Sequence, residues 1–207
     1  MIPSDLTVDL VVMRLIAGVI MAVVQALCIA AMAGVLGDKG PRYDGRLTVW
    51  PWGHVALLGL GALALSGLGW GRPVAVEAGK LRFGRWGLVL VVLAGSVALL
   101  LLGFLLPLLV PPLLKGLDYT AGVTLAAFIR LTAQLCVWVA LFSLLPIPPL
   151  AGAHFLTALG VRVPERTETY LGLALFVVTV LGISRMVIRP VFNVVAPLIL
   201  GPDIALG

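Results

Sequence analysis

The chain has 207 residues, of which 61% are hydrophobic and only 11% charged, with a mean hydropathy of +1.17. Soluble domains carry roughly 25% charged residues, so this composition excludes an ordinary soluble fold and predicts a polytopic membrane protein. The formal charge of +5 is spread over connecting segments with no clustered basic face, which argues for phospholipid headgroups as partners and against nucleic acid.

Residues 1–9 have no basic n-region and no small-residue cleavage pattern, so residues 10–36 are expected to be a retained spanning helix. Its strongly polar members are Arg14 near one end and Gln25 near the middle. The string Gly37-Asp38-Lys39-Gly40-Pro41 supplies helix-stop and turn chemistry. Residues 42–52 (RYDGRLTVWPW) read as a short hairpin or re-entrant strand at the membrane surface. Residues 54–68 are apolar and glycine-rich, at the low limit for a span, and residues 69–85 form the most charged loop.

Residues 86–114 are the second strong span, frayed by Pro107, Pro111 and Pro112, and residues 121–145 are the third. The third places Arg130 and Gln134 four residues apart on one helix face, where they suit a lipid headgroup or a partner's carboxylate, or simple snorkelling. Three prolines within four positions (Pro146, Pro148, Pro149) then forbid continuous helix in sequence that is almost wholly apolar. Irregular backbone at membrane depth is tolerated only where protein or a cavity surrounds it. Beyond the break, 153–159 reads as a short helix, 169–184 as a span, and 186–200, interrupted by Pro190 and Pro197, as an embedded or interfacial tail. The expected architecture is an all-α membrane protein of five to six membrane segments with a proline-broken helix, in a single domain over 1–207. Lys/Arg bias does not decide its orientation.

Catalytic chemistry is hard to find. His54 and His154 each stand among apolar residues with no nearby acid, and the serines Ser66, Ser96, Ser143 and Ser184 lack an adjacent base. There is no HExxH string, phosphate loop or dinucleotide fingerprint, and the acidic residues lie in loops and at ends. Cys28 and Cys136 lie within apolar runs without a metal-binding spacing and read as small buried hydrophobes.

Several stretches occur in a familiar order: Leu36-Gly37-Asp38, then GRLT at 45–48 leading to Pro51 and His54, GLGWGRPVAV at 67–76, LAGS at 93–96, and LLPIPPLAG at 144–152. Over about residues 20–160 the chain resembles the site-2 protease family of intramembrane zinc metallopeptidases; the C-terminal membrane segments, 161–207, lie outside the likeness. Members of that family show HExxH before an LGD exit, then GRLTxNPxxHxD, GxGWxKPVPV, AGPxxN and NLLPIPPLDG. The resemblance implies that the HExxH positions fall on Gln25, Ala26 and Ile29, and that the third ligand, an aspartate, is replaced by Ala151. Trp50 and Ser143 stand where family asparagines would be. From this pattern the chain is expected not to be an enzyme and not to bind zinc, but to act as an accessory subunit or assembly factor of a membrane complex. Its partners would be integral membrane proteins in the bacterial cytoplasmic membrane. The alternatives are a peptidase with a relocated metal site and a lipid- or quinone-binding carrier. Gln25 is expected to donate across helices, and His154 to bond a carbonyl freed by the prolines. His54 could contact the proline-rich loop or sit at the interface. Trp70 and Arg72 are candidate anchors or docking contacts.

Overall fold

The computed structural model describes residues 7–161 and 164–201; the reading of residues 1–6 as the start of a retained segment lies outside them. α1 (Val8–Val35) runs for 28 residues and begins where the Thr7 hydroxyl accepts the Leu10 N–H at 3.3 Å. At 1.5 Å per residue it is about 42 Å long, more than the roughly 30 Å of bilayer hydrocarbon. It ends at Gly37, whose φ of +115° suits glycine. A Cβ there would also come within 2.9 Å of the Lys80 carbonyl oxygen.

The fold's main contact is between α1 and α4 (Arg85–Leu105). Gly95 makes it possible: a Cβ at 95 would lie 2.7 Å from Ile29 Cγ1 and 3.2 Å from Gln25 Cγ. Small residues on α1 (Ala26, Ala30, Ala33) complete the close approach, as expected for helices packed without a hydrophobic driving force. A 3₁₀ turn (Leu106–Leu109) and α5 (Val110–Gly116) continue α4, so the prolines tighten its exit without ending it. α6 (Tyr119–Ser143) starts with the Asp118 carboxylate accepting the Ala121 N–H at 3.1 Å. It packs against α4, where the Ser96 and Ser143 hydroxyls meet at 3.1 Å.

Two expectations change in the C-terminal part. α8 (Glu165–Val180) stops short of 184, because Gly182 turns the chain at φ +81°. The tail instead forms α9 (Ile183–Leu200), 18 residues long with Pro190 and Pro197 inside it. Proline is tolerated there because packed neighbours support the helix: Phe192 stacks on Trp138 of α6 with ring centroids 3.9 Å apart. Among the described residues four helices are therefore long and apolar enough to cross a membrane, while Leu57–Ser66 and Thr167–Val180 are shorter apolar helices. The outward stripes Val12–Ile16–Ile20, Leu90–Leu93–Val97–Leu101 and Val187–Val191–Val194–Leu198 are exposed. Such stripes would be a liability in water and form the natural outer surface in lipid. This is an all-α integral membrane protein.

The surface hairpin expected at 42–52 does not form. No strand is present among the described residues, only an isolated antiparallel bridge between Val55 and Gly71. Pro41 instead sits in the first turn of α2 (Gly40–Tyr43), whose Gly40 N–H is held by Asp38 at 2.9 Å, and a 3₁₀ turn spans Pro51–Gly53. α3 (Leu57–Ser66) follows and abuts the returning chain at Gly59 and Gly69, where any side chain would strike backbone. The expected short helix after the proline break is α7 (Ala153–Ala158).

Candidate functional site

Gln25, Ala26 and Ile29 lie on one face of α1, and the loop after α6 brings Ala151 to the same place. Together with Ser143, Pro149 and the extended segment at 70–74 they enclose a cleft of about 30 Å³. That volume holds about one water and leaves no room for a quinone-like ligand. The loop is closed by its own backbone: the Gly152 N–H donates to the Ser143 carbonyl at 2.7 Å and the Leu150 N–H to Ile147 at 2.8 Å. Position 152 must be glycine, since a Cβ would lie 2.3 Å from the Leu145 oxygen.

The extended segment over the cleft is pinned along its length. The Arg72 N–H donates to the His54 carbonyl at 2.6 Å. Arg46 donates to the carbonyls of Gly53 and, at 2.9 Å, Pro73. His154 Nε2 lies 3.0 Å from the Val74 carbonyl, and Asp38 accepts the Glu77 N–H at 2.8 Å. Both histidines are therefore occupied. A carbonyl can only accept, so His54 Nε2, 2.7 Å from the Thr48 oxygen, carries the proton, and its buried Nδ1 has no partner. Burial lowers the His154 pKa, opposed by the bond to Val74. Burial also lowers that of Arg46, helped by Arg72 and opposed by Asp44.

Individual expectations shift accordingly. Gln25 is buried but its Nε2 donates to nothing, so it is not a helix–helix donor. His154 bonds Val74 rather than a carbonyl freed by the prolines, and His54 is fully buried against Thr48 rather than touching the proline-rich loop or the interface. Trp70 is no surface anchor: it is buried with its ring 6.3 Å from that of Phe142. Arg72 is exposed at the mouth of the cleft. Arg130 is exposed and separate, while Gln134 lines a different cleft with Arg14 and Arg185. Arg46 and Asp38 were not singled out as functional from the sequence, although each sits in a recognisable string, GRLT and LGD.

Against known proteins, the chain is 33% identical over 171 residues to YwhC of Bacillus subtilis, named as a presumed zinc metalloprotease. The alignment covers 79% of this chain and 78% of the relative. The chain belongs to that zinc metalloprotease family. No protein-family model and no solved structure matches it. This corrects the expectation that the chain is not an enzyme: the named relative points to one, and a family of enzymes is where the chain now stands.

Zinc, which the metalloprotease family implies, can be tested against these residues. Zinc takes thiolate, imidazole or carboxylate ligands, commonly three from the protein in a catalytic site. The cleft offers the Gln25 amide and the Ser143 hydroxyl, and that hydroxyl already donates to the Ala140 carbonyl at 2.8 Å. Among the described residues no group of three His, Cys, Asp or Glu could hold a metal. The cleft formed by Gln25, Ala26, Ile29 and Ala151 does not fit zinc.

Proposed function

We propose that this zinc-metalloprotease-family protein has the site-2-protease architecture and works as a binding subunit of a larger complex in the bacterial cytoplasmic membrane. One observation carries the reading. The four positions that the resemblance equates with the metal site meet in one cleft, and that cleft is packed to the volume of a single water. Burying an unpaired polar constellation in such a place costs several kcal/mol. Alanine and isoleucine avoid that cost and join α1, α4 and the proline-rich loop as a rigid core. The exposed apolar stripes on α1, α4 and α9 then supply faces for helices of a partner.

The relative's name favours a second reading, intramembrane proteolysis. In this chain it would need metal donors other than Gln25, Ala26, Ile29 and Ala151. One preparation separates the two. The full chain is purified from native membranes in mild detergent and tested for a stoichiometric membrane partner, and for cleavage of a membrane-embedded peptide with and without chelator. A stoichiometric partner supports the binding reading. A partner-free monomer contradicts it, and chelator-sensitive cleavage establishes the second.

A further inference from the structure

A second, much larger cleft of about 690 Å³ opens between α1, α6 and the start of α9. Three guanidinium groups line it, those of Arg14, Arg185 and Arg189, beside Gln134 and Asn193. Arg14 is buried, and its Nη1 donates to the Ala64 and Leu65 carbonyls at 3.0 and 3.3 Å, which fixes it at the end of α3. Arg185 lies over the Trp138 ring, 5.0 Å from the centroid. The two converge at Gly67: a Cβ there would lie 3.0 Å from Arg185 Nη2 and 3.6 Å from Arg14 Cζ. Both Nε atoms are buried without a partner. Arg189 follows Arg185 by one helical turn and is exposed.

Among the described residues no carboxylate lines this cleft, and the one ion pair, Lys80–Glu77, belongs to the loop before α4. Converging guanidinium groups in an apolar chain are costly unless an anion joins them. Guanidinium forks match phosphate oxygens in geometry as well as charge. Arg14 stands about 9 Å from the start of α1, at the depth of a membrane interface rather than its centre. Met186 and Val187, exposed beside Arg185, offer an apolar track for an acyl chain.

We propose that Arg14, Arg185 and Arg189 bind a phosphate-bearing anion, the headgroup of an anionic phospholipid from the leaflet at the start of α1. This stands independently of the binding-subunit reading, since it uses none of the residues of the small cleft. The test is native mass spectrometry of the full chain titrated with phosphatidylglycerol and, separately, phosphatidylcholine. Phosphatidylglycerol should be retained about tenfold more strongly, and the R185Q/R189Q variant should lose about that preference. Neither of those side chains holds a backbone carbonyl, so the fold should survive; Arg82→Gln, in the loop before α4, serves as the control and should leave binding unchanged. Displacement of phosphatidylglycerol by millimolar inorganic phosphate would assign the site to a free anion and overturn the lipid assignment. Equal retention of the two lipids, or retention unaffected by R185Q/R189Q, would overturn the proposal.

Discussion

Replacing Gly95 by alanine tests the contact that sets the shape of the small cleft. The new methyl would sit 2.7 Å from Ile29 Cγ1 and 2.9 Å from Cδ1, both on a β-branched side chain held within the core. Overpacking of this kind costs about 1–3 kcal/mol. Alanine in place of a helical glycine returns about 1 kcal/mol. The single variant is therefore expected to lose about 0–2 kcal/mol, too narrow a margin to interpret alone. A double-mutant cycle removes the ambiguity. Ile29→Ala alone should cost about 2–5 kcal/mol through the cavity it leaves. In that background Gly95→Ala places its methyl in vacated space and should stabilise the protein, giving a coupling of about 1–3 kcal/mol. Unfolding of the purified chain in detergent, followed by near-ultraviolet circular dichroism, measures all four corners. Additivity within error would mean that α1 and α4 do not touch at this point, and the geometry of the cleft would fall with it.

Gln25→Met removes an amide whose Nε2 is buried without a partner. The melting temperature should rise by about 2–4 °C for each kcal/mol relieved, and relief of about 1–3 kcal/mol is expected; a fall would show that the amide is satisfied. His154 should make stability pH-dependent. Its pKa is lowered from 6.5 in the folded chain, so its contribution is complete above 6.5 and is lost as pH falls towards the folded value. Melting curves of the parent and of His154→Gln should therefore diverge in slope below that pH, and parallel curves would contradict the burial argument.

Much of this arrangement was legible in the sequence, for reasons tied to particular residues. The clustered Pro146, Pro148 and Pro149 forbid helix wherever they stand, so the broken loop and the short helix after it could be read directly. The convergence of Gln25, Ala26, Ile29 and Ala151 followed only from the family likeness, because no local pattern joins α1 to a loop so far along the chain. The hairpin expectation rests on Leu47, Val49 and Trp50, which favour extended backbone, whereas the backbone there bonds to the His54 ring, the Thr48 hydroxyl and the Pro41 carbonyl rather than to a second strand. Pro190 and Pro197 made the tail look interrupted, and its support by Trp138 is a tertiary fact. The meeting of Arg14 with Arg185 likewise depends on how α9 returns along α6.

Metal content tests the central claim most directly. The full chain, purified without chelators, should carry far less than one zinc per polypeptide, whereas the variant combining Gln25→His, Ala26→Glu, Ile29→His and Ala151→Asp should bind zinc in the same cleft. One zinc per chain in the parent protein would contradict the account, because the cleft offers it no set of ligands.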